Sequence, residues 1–245
     1  MPRGACRGRA TAGNKTRAAG ILLAAVVWAG SACAEVGAAV SGYSDYRFRG
    51  YSLSDGRPVA ILDVSYDLPT GVYASASGSV VASRGHGIRP LRLALNGGYA
   101  TTAWRGVTAD VGVIHARYSR YSGLTADRAY TEIYAGLAAK MAGARLSLSP
   151  DYLGSARWTL RGELSGHVDL SRTVGVTGVA GALVPLDERY ARASRATWDA
   201  RLGIAKRVGR VSLQAAATAR GKGGDLYGSS SRRRAAFIVG ISSAL

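Results

Sequence analysis

The chain has 245 residues, with 32 lysines and arginines against 15 acids, a net charge of +17 and two cysteines, Cys6 and Cys33. Both cysteines fall in an opening segment with the marks of a leader, so the remainder holds neither a disulfide framework nor a thiolate metal site. Beyond that segment no stretch is continuously apolar for even ten residues, which excludes transmembrane helices, each of which needs about 20.

Arg3, Arg7, Arg9, Lys15 and Arg17 open the chain without an acid, and an apolar run follows from Ala18 to Gly30. Ala32-Cys33-Ala34 supplies small residues at positions −3 and −1 for cleavage before Glu35. The expectation is a secretory signal peptide over 1–34 and one domain over 35–245. Without the five basic residues of the leader, the net charge falls from +17 to +12. A secreted chain rarely meets nucleic acid, so the nearer anions are lipid phosphates or a dissolved anionic solute.

From Glu35 onward the hydrophobicity alternates. Twelve strands are predicted, the first six at Val36–Arg49, Pro58–Asp67, Val72–Ser83, Leu91–Thr102, Val107–Tyr118 and Arg128–Ala139. The other six are Ala144–Tyr152, Arg157–Leu170, Val174–Val184, Ala196–Arg207, Val211–Arg220 and Arg234–Leu245. The eighth is the clearest. Arg157, Thr159, Arg161, Glu163, Ser165, His167 and Asp169 alternate with Trp158, Leu160, Gly162, Leu164, Gly166, Val168 and Leu170. A period of two means an extended strand with one wet and one greasy face. Fourteen residues reach about 46 Å, or about 33 Å when tilted by ~45°, enough to cross a bilayer's hydrocarbon layer. The ninth strand is the weakest, because Val179 and Leu183 interrupt its polar side.

Connections after even-numbered strands are tight, as in Leu68-Pro69-Thr70-Gly71 and Val208-Gly209-Arg210. Those after odd-numbered strands are mostly longer and polar, as in Gly50–Arg57, Ser119–Asp127 and Gly221–Arg233, with Leu153–Ala156 the short exception. Outer-membrane barrels have short periplasmic turns, longer external loops and an even strand number. The fold class expected is therefore all-β: a transmembrane antiparallel up-and-down β-barrel of about twelve strands, with both termini periplasmic. The last strand places Phe237, Val239, Ile241, Ser243 and Leu245 on one face, with Leu245 where such barrels usually end in Phe. Tyr43, Tyr46, Tyr51, Tyr66, Tyr73, Tyr99, Tyr118, Tyr121, Tyr130, Tyr134 and Tyr152 lie nearer strand ends than centres. The expectation is that they form aromatic girdles at the headgroup levels.

The segment Ser41-Gly42-Tyr43-Ser44-Asp45-Tyr46-Arg47-Phe48-Arg49-Gly50-Tyr51-Ser52-Leu53-Ser54-Asp55-Gly56-Arg57-Pro58, with Gly71-Val72-Tyr73-Ala74 and Gly78-Ser79 after it, resembles the opening of TorF-type porins of proteobacteria. That group is also known through the Gcw_chp conserved-hypothetical outer-membrane domain. Ser77 stands where the family usually has an aromatic. The resemblance implies an outer-membrane barrel of Gram-negative bacteria with a channel role, and no particular solute.

Charged side chains facing lipid near the midplane would cost about 2–4 kcal/mol each, so the charged face of each strand is assigned to the lumen. The candidate pore-lining set is Asp45, Arg47, Arg49, Asp63, Arg92, Arg145, Arg157, Arg161, Glu163, His167 and Arg201. Two readings stand beside each other: a charged wall that selects solutes, or mutually satisfied ion pairs that fill a narrow, plugged barrel. Arginine outnumbers acid in the set, which favours anions. Arg232, Arg233 and Arg234, at the outer end of the last strand, are candidates for lipopolysaccharide phosphates. Lipid hydrolases and acyltransferases also occur among small barrels, and catalysis needs a nucleophile, a base and an acid within reach. Ser165, His167 and Asp169 share one face, but two-residue spacing near ~7 Å predicts no direct contact between neighbours. His86 lies in a glycine-rich loop and His115 on an apolar register. No catalytic set, metal site or cofactor is expected, and Gly221-Lys222-Gly223-Gly224 lacks the pattern of a phosphate loop. The function expected is passive diffusion of small solutes with anions favoured. The alternatives are a non-conducting scaffold barrel and a lipid-modifying enzyme, and the expected partners are outer-membrane lipid, lipopolysaccharide and the solutes.

Overall fold

The computed structural model describes residues 34–83, 85, 87–119, 128–186, 196–222 and 233–245. The leader, His86, Tyr121, Arg232 and most of the outer connections after Tyr118, Pro185 and Arg220 lie outside the described residues.

The chain opens with β1 (Glu35–Tyr43), two short strands, β2 (Arg47–Phe48) and β3 (Tyr51–Ser52), and then β4 (Val59–Asp67) and β5 (Val72–Ser83). It continues through β6 (Gly87–Trp104), β7 (Val107–Tyr118), β8 (Arg128–Ala138), β9 (Ala142–Ser149) and β10 (Thr159–Asp169). The last four are β11 (Val174–Pro185), β12 (Thr197–Val208), β13 (Val211–Arg220) and β14 (Ala235–Ala244). β2 and β3 pair antiparallel with each other only, and the other twelve strands pair antiparallel with their neighbours, β1 with β14, to close a twelve-stranded barrel. Every predicted strand has its counterpart.

The two faces separate as the alternation requires. Leu62, Leu95, Val113, Leu146, Leu164, Leu202 and Ile241 are exposed on the outer wall. The residues between them turn inward, Ser41, Asp110, Glu132, Ser147 and Arg161 among them, and are buried. Only a lipid surround makes such an exterior stable, since a soluble protein rarely exposes apolar patches of this extent.

The tyrosine girdle is corrected. Tyr43, Tyr73, Tyr118, Tyr130 and Tyr134 point into the barrel and are buried, as are Tyr46, Tyr51 and Tyr152 in connections. Glycines explain three of these placements. Tyr43 pairs across strands with Gly240, Tyr73 with Gly98 and Tyr134 with Gly112, and each ring occupies space that a β-carbon on its glycine would need. The outer aromatics are instead Trp158, Trp198 and Phe237 at the long-loop end, with Tyr66, Tyr99 and Trp104 toward the short-turn end. A Gly112→Val substitution would drive its side chain into the Gly97 carbonyl, 2.6 Å from an added β-carbon, and into the Tyr134 ring. We expect destabilisation by about 1–3 kcal/mol in urea titrations of the folded protein.

Three boundaries also differ. The seventh predicted strand ends at Ser149, because the chain then turns inward through a 3-10 turn at Tyr152–Gly154. In β6, a register shift opposite Ser79/Val80 turns Leu91 inward, where it is buried, while Leu93 and Leu95 stay exposed outside. The largest departure is in the first strand, which leaves the wall after Tyr43 instead of running on to Arg49.

Candidate functional site in the lumen

At Ser44 the chain enters the barrel. The Ser44 amide donates to the Val239 carbonyl (2.9 Å) and its Oγ accepts from the Val239 amide (3.1 Å), which terminates pairing with β14. Asp45 then gathers the segment around its carboxylate. Oδ1 accepts from Ser52 Oγ (2.6 Å), Ser54 Oγ (2.9 Å) and the Gly56 amide (3.2 Å), and Oδ2 accepts from Arg47 Nε (2.8 Å). Tyr46 and Ser54 close the base of the segment, the Tyr46 amide donating to Ser54 Oγ at 2.9 Å. Between β2 and β3 the turn residues Arg49 and Gly50 both have positive φ, 51° and 78°. That is the two-residue geometry whose twist suits a hairpin.

This inward hairpin fills the long-loop half of the barrel. Leu53 and Ser54 have no exposed surface, and Tyr46, Tyr51 and Ser52 are buried. Its seat consists of inward-facing apolar residues on the wall, Val59, Ile61, Val81, Leu91, Leu183 and Ile238. Leu183, a break in the polar side of the ninth predicted strand, is thereby explained. Phe48 lies against Tyr118 and Tyr130, with ring centroids 6.0 and 6.3 Å away.

Arg49 ties the hairpin to the wall. Its Nη2 donates to Glu132 Oε2 and its Nη1 to the Tyr152 hydroxyl, both at 2.7 Å. The guanidinium carbon also sits 4.8, 5.6 and 5.2 Å from the ring centroids of Phe48, Tyr130 and Tyr152. Glu132 is 2 % exposed, so the contact is a buried ion pair inside an aromatic cage. Arg92 approaches from the other side, 5.5 Å from the Phe48 ring.

Below the hairpin the lumen is polar and only partly filled. On the β5–β9 wall, Tyr73 donates to Asp110 Oδ1 (2.6 Å) and Arg145 Nη2 donates to Asp110 Oδ2 (3.0 Å). Tyr134 contacts the Tyr73 hydroxyl and donates to Asn96 Oδ1 (3.0 Å). Beside the hairpin turn, on β10, Arg161 binds Asp199 through Nη1 and Nη2 (2.6 and 3.2 Å) and Glu163 through Nη2 (2.9 Å). Its guanidinium lies over Gly181, where any β-carbon would collide with it. The wall beyond is lined by small inward residues, among them Gly203, Ala205, Ala216 and Ser242. Near the short-turn end His167 and Asp169 are open to solvent, their side chains 48 % and 76 % exposed.

The residues predicted for the lumen fall in two places. Asp45, Arg47 and Arg49 sit on the inward hairpin rather than on a wall strand. Asp63 (β4), Arg92 (β6), Arg145 (β9), Arg161, Glu163 and His167 (β10) and Arg201 (β12) are on the wall. Arg157 precedes β10 and is half-buried. Among the described residues, Asp63, Arg92 and Arg201 have no salt-bridge partner. Sequence reasoning missed Glu132, Asp110 and Asp199, the carboxylates that hold Arg49, Arg145 and Arg161, although each falls on the inward register of its strand.

The spacing argument about Ser165, His167 and Asp169 also needs correction. His167 Nε2 and Asp169 Oδ1 are 2.9 Å apart, because side chains on one face lean along the strand toward each other. Ser165 Oγ instead makes a long contact to the Gly143 carbonyl, 3.5 Å. His115 is on the outer wall with Nδ1 3.0 Å from Thr131 Oγ1. Arg233 and Arg234 are exposed at the start of β14, and their carbonyls accept from Arg47 Nη1 (3.3 Å) and the Arg220 amide (2.9 Å).

An apolar outer wall, a charged interior and closure without free edges define a transmembrane β-barrel of the outer-membrane class. Solved structures agree on the fold. The NanC porin superposes with a TM-score of 0.58 at 15 % identity, covering 85 % of this chain and 100 % of that one. The KdgM porin gives 0.53 at 8 % identity, covering 85 % and 99 %. KdgM in complex with disordered oligogalacturonate gives 0.51 at 7 %, covering 86 % and 99 %. The chain belongs to the Gcw_chp family, described as a bacterial protein of unknown function, whose family model matches residues 28–230. None of the curated proteins matches the sequence.

Proposed function

We propose that the barrel is a porin-like channel for passive diffusion of small solutes, with anions favoured, and that its inward hairpin forms the constriction. The observation that carries this reading is a hydrophilic interior that stays partly exposed below the hairpin, enclosed by an apolar exterior. On this reading Asp45, Arg47, Arg49, Asp63, Arg92, Arg145, Arg157, Arg161, Glu163, His167 and Arg201 line the pore. The ion pairs place acids beside Arg47, Arg49, Arg145 and Arg161, while Arg92 and Arg201 add positive charge without a salt-bridge partner among the described residues. A fixed positive field of this kind raises the local concentration of anions. Residues 1–34 act as a signal peptide, and Arg232, Arg233 and Arg234 meet lipopolysaccharide phosphates.

Planar-bilayer recording of the refolded protein under a potassium chloride gradient tests the reading. A reversal potential of the sign set by chloride is expected, and Arg201→Gln should shift it toward cations. Preference for potassium would refute the anion assignment. Complete burial of Leu53 and Ser54 favours a second reading, a closed scaffold barrel, and absence of conductance with or without the hairpin would establish it.

A further inference from the structure

The inward hairpin is bonded mainly to itself. Asp45 binds residues 47, 52, 54 and 56, the Leu53 amide donates to the Tyr46 carbonyl (2.8 Å), and β2 pairs with β3. One charged attachment to the barrel wall is of a different kind: Arg49 is held by Glu132 and Tyr152 in their aromatic cage. Tyr51 beneath Arg220 (4.2 Å) and Arg47 on the Arg233 carbonyl add weaker ties. A compact body whose covalent links to the wall strands are Ser44 and Pro58 can lift from its apolar seat without losing its internal bonds.

We infer that residues 44–58 are a gate that moves as one body, and that the Glu132–Tyr152 cage is a guanidinium receptor whose occupant, Arg49, latches it shut. The inference rests on the channel reading and assigns its regulation. Closed, the hairpin fills the long-loop half of the lumen. Withdrawal of Arg49 leaves the Glu132 carboxylate to entering water and clears the path to the polar half below.

Single-channel recording of the full protein tests this with Arg49→Ala, Glu132→Gln and the pair combined. Each single substitution should raise the open fraction by about tenfold or more, the effect of a shift near 1.4 kcal/mol in the equilibrium. The combined variant should be no more open than Arg49→Ala alone, because that substitution already removes the contact to Glu132. A second arm leaves both charges in place. Tyr152→Phe removes the hydroxyl that accepts from Arg49 Nη1 and keeps the ring, and it should also raise the open fraction, by less than Arg49→Ala. Latch variants that all match the parent would overturn the gate. A chain with residues 45–57 replaced by a short glycine-serine link separates the two claims. If it conducts while the latch variants match the parent, only the gate fails. If it too is silent, the channel reading fails with it.

Discussion

Asp45→Ala is expected to unravel the inward hairpin and open Arg47 and Arg49 to trypsin, while the barrel stays folded. The Asp45 carboxylate accepts four donors and is the ion-pair partner of Arg47, whose side chain is 3 % exposed. Removing one member of a buried pair strands the other and costs about 3–5 kcal/mol. Each lost hydrogen bond to the charged group contributes about 1.5–3 kcal/mol more, though not additively. Asp45 is the group around which the hairpin's own hydrogen bonds gather, so its local stability should be exhausted. Asp45→Asn keeps an acceptor for Ser52 and Ser54 but loses the charge facing Arg47, and should fall between. Trypsin digestion of protein reconstituted in vesicles, followed by mass spectrometry, checks this. Cleavage after Arg47 and Arg49 should be slow in the parent, fast in Asp45→Ala and intermediate in Asp45→Asn. Unchanged resistance in Asp45→Ala would remove the carboxylate from its organising role.

The second large effect concerns the outer wall. Leu164 stands at the centre of β10, with 64 % of its surface exposed, and in a bilayer that exposure is to hydrocarbon. Leu164→Arg should destabilise the barrel by about 2–4 kcal/mol. Ser165→Gln, one residue along and facing inward, should change it by about 1 kcal/mol or less. Urea titrations in phospholipid vesicles measure both. Equal effects at the two positions would contradict the assignment of faces.

What the sequence discloses depends on how far apart the deciding residues lie. Arg161, Glu163 and His167 could be placed in the lumen because a period of two fixes the face from neighbours alone. The short-turn and long-loop ends were readable for the same local reason. The inward hairpin was not. The polar series continues from Ser41 through Tyr43, Asp45 and Arg47 to Arg49, and the one local mark of departure is Ser44, a single hydroxyl in the opposite series of Val40, Gly42, Tyr46 and Phe48. What diverts the chain is Asp45 meeting donors 7, 9 and 11 residues ahead and Arg49 meeting Glu132, 83 residues away. The turn itself is Arg-Gly, a weaker hairpin signal than Asn-Gly. The tyrosines misled for a related reason. A phenol suits a membrane interface or a polar interior equally, and the choice rests on whether a glycine stands opposite, which requires the register. The family signature is a case in point: most of Ser41–Pro58 builds the hairpin inside the barrel rather than a wall strand.

The early departure of the chain at Ser44 has an effect on assembly. Strand β1 meets β4 over nine residue pairs but meets β14 over five. The seam joining the two ends of the polypeptide is therefore among the shortest zippers in the cylinder, and in order of synthesis it is also the last to find its partner. Sealing of the wall waits on Ala39–Tyr43 and Gly240–Ala244, so changes there should slow insertion into the membrane more than they alter passage through the finished pore.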